Sequence, residues 1–422
     1  MNAKAAPRPV WRRLLRLAVK VGAVLIVLSL ITGWLLQPQR AGRYLLHLAG
    51  DSLGLEINAG AIDYRLRGTP QLVLNDVVAT RHGDAPLLAA RRIFVSLPWR
   101  TLRTRGDDLK VTRVELDAPR LNLPALQRWL ATRPPSGPIR IPVLSDGLRV
   151  RDGRIDNDDW RIDGLSIDLP SLHPSQPMRM RVRGRYVDAP LSIPADLAIT
   201  VANPNDMLAG VATDVSGAGT LSLIDTGGWR IPAQVLLAGP LRIGKDSALM
   251  KPARLGIAAR YESGKTSLPF QLGLHGPMAF NNATWRFVPV TLVLMGEGTI
   301  PSAQARGSLS VGRSLGLHLD GSLAGWPKDW PTLPRPLSAS KSALPFSLDY
   351  KGVVAFADTA SLSLRRDTTT LATQFRLPDV LTWLDAGNAS SPLPPLTGKL
   401  STPRVDLDGT TLEGVEIELG GE

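Results

Sequence analysis

The residues of this chain that could perform acid–base or metal chemistry are sparse. Five histidines occur in 422 residues, at His47, His82, His173, His275 and His318, and no two lie within ten residues of each other. There is no HExxH or HxH pair, so nothing presents two imidazoles at zinc-binding spacing. His318 falls on the polar side of an alternating segment, where a solvated side chain is expected. No GxSxG elbow offers a serine nucleophile. Asp152, Asp156, Asp158 and Asp159 form the densest group of acids. Oxygen ligands at alternate positions suit Ca²⁺, but the run DGRIDNDDW lacks a twelve-residue loop closing on Glu, and a polar turn is the favoured reading. Gly217-Ala218-Gly219 and Gly296-Glu297-Gly298 open no helix, so they are bulges or turns and not phosphate loops. The chain has no cysteine, which excludes a thiol nucleophile, thiolate metal sites and lipidation on Cys. The expectation is a protein that is not an enzyme, with no catalytic residue, metal site or cofactor.

One charged constellation remains. Arg179, Arg181, Arg183 and Arg185 occupy every second position, with Met180 and Val182 between them. On a strand this spacing puts four guanidinium groups on one face. They are candidate contacts for anionic lipid headgroups, which Arg binds bidentately. The competing and favoured reading pairs them with acids on neighbouring strands. The formal net charge is +12, but six of the cations lie in the first twenty residues, and elsewhere Arg is interspersed with Asp. A nucleic-acid partner is therefore not expected.

The elements that must carry these residues read as strands. Apolar and polar residues alternate at Val114–Ala118, Leu165–Leu169, Leu315–Leu319 and Val415–Leu419, the period of a strand with one apolar face. Asp152-Gly153, Asp163-Gly164, Thr226-Gly227-Gly228, Asp320-Gly321 and Asp408-Gly409 read as the turns between strands. A short helix is expected over Arg43–Leu53, ended by Gly54. Two more are expected at Pro124–Thr132 and Pro378–Asp385, each opened by Pro and carrying a Trp flanked by Leu, as caps over an open sheet end. The Pro-rich stretches 133–142, 326–336 and 389–395 read as linkers or crossovers.

Residues Val21–Leu36, VGAVLIVLSLITGWLL, carry no charge and follow Lys4, Arg8, Arg12, Arg13, Arg16 and Lys20 with no acid among them. Val21, Leu25, Leu28, Ile31, Trp34 and Leu36 represent a single-pass anchor. Sixteen helical residues span about 24 Å, short of a hydrocarbon core of about 30 Å, and starting near residue 14 lengthens the helix to about 34 Å. The basic leader implies an N-terminus in the cytoplasm and a body on the other side of the membrane. The six residues after Leu36, QPQRAG, make a poor cleavage site, so an uncleaved anchor is favoured over a signal peptide.

The order of motifs also points to a family. Gly54-Leu55-Glu56-Ile57 precedes PQLVLNDV (70–77), LLAARRIFVSL (87–97), LKVTRVELDAPRLNL (109–123) and the segment 148–169. This resembles the AsmA family of inner-membrane-anchored periplasmic proteins of Gram-negative bacteria, a group that includes TamB-like proteins. The match is best over residues 20–170. The resemblance implies an inner-membrane protein with its bulk in the periplasm, acting in outer-membrane biogenesis or phospholipid transport through a groove with an apolar lining. Phospholipid or another envelope lipid, the membrane, and envelope proteins are the implied partners. An alternative on the same plan is a structural or assembly subunit of a secretion or envelope complex.

The expected fold is mainly β: an N-terminal transmembrane helix, then an extended antiparallel β-groove or β-sandwich with a few short capping helices. The expected divisions are a leader (1–20), the anchor (21–36), an AsmA-like β region (37–133), a central β region (134–325) and a C-terminal β region (326–422) with its helix at 378–385. An uncleaved anchor predicts that intact-mass measurement of the membrane-extracted protein retains residues 21–36. A mass matching a chain that starts near Ala41 or later would overturn it.

Overall fold

The computed structural model describes residues 46–47, 50–51, 53–104, 110–132, 141–244, 246–327, 329, 343–354, 356–385, 395–407 and 410–420. Within them the chain is mainly β, one large mixed sheet with a few short helices. The anchor candidates Val21, Leu25, Leu28, Ile31, Trp34 and Leu36 lie outside the described residues. Among the described residues no helix is long and apolar enough to cross a membrane.

β1 (Glu56–Asn58) and β2 (Ala61–Arg65) lie end to end along β3 (Gln71–Thr80), which pairs on its other side with β4 (Pro86–Ser96). After α1 (Trp99–Arg103), β5 (Lys110–Val111) makes a small parallel pair with β8 (Val143–Leu144). β6 (Arg113–Asp117) and β7 (Arg120–Asn122) lie end to end along β4. The chain then crosses through α2 (Leu123–Ala131) and brings β9 (Leu148–Asp156) beside β6 and β7 in parallel. The expected antiparallel pairing therefore fails in the large sheet at this one crossover, where a helix-bearing connection lets the chain re-enter in the same direction.

From β9 onward every strand pairs antiparallel with the next. The series runs β10 (Arg161–Leu169), β11 (Met178–Asp188), β12 (Leu191–Val201), β13 (Thr213–Asp225), β14 (Trp229–Ile243) and β15 (Ser247–Ser263). It continues through β16 (Thr266–Asn281), β17 (Thr284–Gly296), β18 (Ala303–Val311), β19 (Leu315–Leu323) and β20 (Leu344–Gly352). It ends with β21 (Thr359–Arg366), β22 (Thr369–Arg376), β23 (Leu396–Leu407) and β24 (Thr410–Leu419). The ladder runs across the Pro-rich stretch 326–336, because β19 pairs directly with β20. β24 does not pair with β1 or β2 among the described residues, so the sheet is open.

The three expected helices sit close to their places, while α1 and a turn at Pro204–Leu208 are additional. Leu46, His47, Gly50, Asp51 and Leu53 are helical, and Gly54 ends the turn at φ 58°, the left-handed position that glycine adopts without cost. In α2 the Asn122 side chain accepts a hydrogen bond from the Ala125 N–H at 2.9 Å, and Pro124 occupies the first turn. The Trp129 indole donates to the Leu53 carbonyl at 2.9 Å, tying α2 to the preceding helical segment. α3 (Pro204–Leu208) is a single turn capped by Asn203. α4 (Leu377–Asp385) follows β22, packs against it and buries Trp383.

Several expected turns instead lie inside strands, two of them as bulges. Asp152-Gly153 lies inside β9 and Asp163-Gly164 inside β10. Asp152 has φ 53° and Gly164 φ 61°, and the β9–β10 register shifts beside them. Asp76 in β3 (φ 50°) and Ala118 between β6 and β7 (φ 48°) stand at the same level, so one line of irregularity crosses β3 to β10. Asp320-Gly321 lies inside β19, where a Cβ on Gly321 would meet the Gln304 carbonyl oxygen at 2.1 Å. Thr226–Gly228 is a true turn, between β13 and β14. Asp408-Gly409 lies outside the described residues.

A second line crosses β14 to β17. Pro240, Pro252, Pro277 and Pro289 occur at one level in four consecutive strands, and the register shifts there in every pair from β14–β15 to β17–β18. Proline has no N–H to donate to a ladder, which suits it to such breaks. The shifts insert one extra residue into β15 and one into β17 relative to both neighbours, and a bulged strand bends. The main core sits along this crease: Met250, Ala253, Leu274, Met278, Phe287 and Val290, with Ala305 and Leu319 beyond. Met250 is 2% exposed, Val290 1% and Ala253 0%. Met250→Ala is expected to cost about 2–5 kcal/mol. Leu236→Ala, at a site 55% exposed on the opposite face, should cost under about 0.5 kcal/mol. Urea midpoints of the full-length chain in detergent measure both, and equal shifts would refute this placement of the core.

Candidate functional site

The register defines two faces of opposite character. On one, an unbroken line runs from β11 to β24: Met180, Ile199, Gly217, Leu237, Leu255, Leu274 and Leu292, then Ala305, Gly321, Phe346, Leu364, Leu371, Leu400 and Ile417. At ~4.8 Å per strand this stripe is about 60 Å long. A second line beside it joins Val182, Leu197, Gly219, Val235, Ile257, Leu272 and Leu294. Leu74, Ile93, Leu116 and Val150 continue the same face toward the N-terminal end.

Burial on this apolar face is uneven. It is complete along the proline crease and again near the C-terminal end, where Leu344, Tyr350, Ala360, Leu364 and Leu400 are at most 3% exposed. Between the crease and the hairpin ends, Val235, Leu255, Ile257, Leu268 and Leu272 are only half-buried.

Arg179, Arg181, Arg183 and Arg185 lie exposed on the other face, and the structure divides them. Asp196, across the β11–β12 hairpin, accepts from Arg181 Nε and Nη2 at 2.7 Å each and from Arg183 Nε at 2.9 Å. The Arg181 hydrogen bond is the main cause holding the Asp196 carboxyl below its ordinary value, and the same bond raises the Arg181 guanidinium. Arg179 and Arg185 have no carboxylate within 4.0 Å among the described residues. Sequence spacing identifies the arginine row but not its partner, because Asp196 comes opposite only through the hairpin register.

Two hollows open on this polar face. One of about 900 Å³ is floored by Thr220, Gln234, Ala258, Gln271 and Met295. Another of about 310 Å³ is lined by Arg149, Arg151, Arg181, Arg183, Ser166 and Asp168. That hollows occur opposite the core follows from twist: a twisted sheet is a saddle, concave toward each face along a different diagonal. Toward the N-terminal end, Glu115 and Asp117 gather Arg92 (3.5 and 3.0 Å), and Glu115 also holds Arg113 at 3.5 Å.

The five histidines are not brought beside one another in the hydrogen bonds they make. His47 meets Asp51 at 2.9 Å, and His82 meets Glu56 at 3.0 Å. His173 accepts from the Ser175 N–H, and His275 is exposed on β16. In the acidic group, Asp156 pairs with Arg154 at 2.7 Å, while Asp158 and Asp159 sit in the β9–β10 turn. No three His, Asp or Glu among the described residues come together in a metal-binding arrangement. No family model, curated protein or solved structure matches this chain.

His318 departs from a merely solvated side chain. Its Nδ1 lies 2.6 Å from Asp349 and its Nε2 3.2 Å from Asp320, on the polar face of β19 and β20. The Asp349 hydrogen bond is the main cause raising its pKa above the ordinary 6.5. The imidazolium therefore stabilises the fold fully below the unfolded value, and that contribution fades as pH rises through the folded one. NMR titration should place His318 above 6.5 and Asp349→Asn should lower it; an unchanged midpoint in the variant would refute the pairing.

Proposed function

We propose that this chain is a non-enzymatic, membrane-tethered lipid-handling protein, and that the half-buried part of its apolar sheet face is where acyl chains lie. The observation that supports this most is the stripe of apolar residues from β11 to β24, about 60 Å long at the usual strand spacing. An apolar face needs a second layer, or something equivalent to one. Acyl chains serve that purpose, each buried CH₂ contributing roughly 0.8 kcal/mol. In this reading the sheet bends along its proline line into a groove.

Residues Val21–Leu36 anchor the chain once in the inner membrane of a Gram-negative envelope, with its N-terminus in the cytoplasm and its body in the periplasm. Its role is in outer-membrane biogenesis or phospholipid traffic, with envelope lipid as ligand and envelope proteins as further partners. The basic leader and the AsmA-like order of motifs support that placement. Arg179 and Arg185 contribute contacts to anionic headgroups. Their face is opposite to the acyl-binding one, so those headgroups belong to a membrane surface or to other lipids.

Photo-crosslinking tests the reading. The full-length chain is expressed in membranes supplied with a phospholipid that carries a diazirine on its acyl chain. Crosslinks are expected at Val235 and Ile257, and Val235→Glu/Ile257→Glu should reduce them several-fold. Leu236→Glu, one residue away on the polar face, should leave them intact. Crosslinks confined to residues 21–36 would overturn the groove while leaving the anchor standing.

A further inference from the structure

One exposed surface of the body has the composition of a membrane-binding patch. The Trp99 indole donates to the Gly68 carbonyl at 2.8 Å, and the Leu97 N–H donates to the Pro70 carbonyl at 3.0 Å. These bonds hold the β2–β3 turn against α1. Trp99 and Leu102, three apart, share one side of α1. They are 42% and 43% exposed, and Leu66 in the turn is 45% exposed. Three large apolar side chains are thus left partly in water at one strand end, on a segment that Thr101 also seats: the Thr101 hydroxyl donates to the Lys110 carbonyl at 2.7 Å.

Cations surround them. Arg65, Arg67 and Arg103 are exposed and have no carboxylate within 4.0 Å among the described residues. Asp63 is the exposed acid of the same hairpin, and Asp107 and Asp108 lie outside the described residues. Trp at a polar boundary, Leu beside it and Arg around it is the composition that seats on an anionic bilayer. Each Arg near such a surface contributes about 1 kcal/mol.

The chain length also fits. Leu46 packs against Ile62 in the N-terminal core, four strand residues or about 13 Å from Leu66. From Leu36 to Leu46 the chain reaches at most about 33–36 Å. If Val21–Leu36 spans the membrane, as proposed above, these lengths keep the patch within about 50 Å of the bilayer, so the body can reach its surface.

We infer that the surface formed by Leu66, Trp99 and Leu102 with Arg65, Arg67 and Arg103 seats the body on the anionic face of the membrane in which the chain is anchored. The N-terminal end of the sheet is then held at the lipid surface, and the apolar stripe leads away from it. This rests on the anchor reading, and the test separates the two.

The chain has no native cysteine, so single labels are unambiguous. Spin labels are placed one at a time at Leu66→Cys, Leu102→Cys, Ile31→Cys and, in the β20–β21 connection toward the C-terminal end of the sheet, Val353→Cys. The full chain is reconstituted in nanodiscs of phosphatidylcholine with or without phosphatidylglycerol. Collision with oxygen against a water-soluble nickel chelate reports depth. Labels at 66 and 102 should be shielded from nickel, about twofold more with phosphatidylglycerol, and the label at 353 should not. Arg65→Glu/Arg67→Glu/Arg103→Glu should abolish the phosphatidylglycerol effect. Labels at 66 and 102 as nickel-accessible as the one at 353, with the label at 31 in hydrocarbon, would overturn the seat and leave the anchor. A nickel-accessible label at 31 would overturn the anchor reading, and with it the tether on which the seat depends.

Discussion

The register of the sheet at its two lines of bulges is the constraint on which the rest of the structure depends. Side chains alternate with period two, so a strand that gains one residue without compensation turns its apolar side outward. β15 gains a residue at Pro252 and β17 at Pro289, and both return to the same face: Met250 is followed by Ala253, and Phe287 by Val290, all buried. Asp152 and Gly164 do the same in β9 and β10, where positive φ absorbs the extra residue. Because the irregularities line up from strand to strand, the sheet keeps one apolar side throughout.

That continuity separates two environments. The apolar side holds the core along the crease and leaves half-buried aliphatic residues beside it. The polar side carries arginines matched with aspartates, and shallow hollows where the saddle is concave the other way. Arg181 and Arg183 on Asp196, Arg92 on Asp117 and His318 on Asp349 are exposed or half-exposed pairs. Each contributes little to stability, but like charges opposite one another would oppose the register, and these pairings favour it. In the lipid-handling reading proposed above, a ligand with an apolar tail and an anionic head would meet the two parts of its chemistry on opposite sides of one sheet. It can use both only around an edge or at a membrane surface.

Much of this was legible from residue order. Leu165–Leu169 and Leu315–Leu319 alternate and are strands. Pro124 and Pro378 open helices that carry a Trp. The phase of alternation changes at Pro252 and at Pro289, with Ala248 and Met250 giving way to Ala253 and Leu255, and Trp285 and Phe287 to Val290 and Leu292. That change of phase is the local mark of a bulge. Asp152-Gly153 and Asp163-Gly164 were harder to interpret, because a residue tolerant of positive φ serves a hairpin turn and a bulge equally well. The parallel entry of β9 beside β6 and β7 leaves no local mark, since the crossover is set by packing between segments far apart.

The amino-acid sequence alone determined that the chain is built of strands with one apolar side, and that the Trp-bearing segments opened by Pro124 and Pro378 are helices, though not the short helices at Trp99–Arg103 and Pro204–Leu208. Both are properties of neighbours a few residues apart, whose period and φ preferences act locally. It also determined that histidines and acids are too scattered to form a motif. Tertiary structure decided which residues stand opposite one another across fourteen consecutive strands, that Asp196 takes two of four arginines and leaves two without a carboxylate among the described residues, and that Trp99 stands beside the turn at Gly68. Those outcomes depend on hydrogen-bonded register and on bends shared between strands, quantities that exist only when segments distant in the chain are brought side by side.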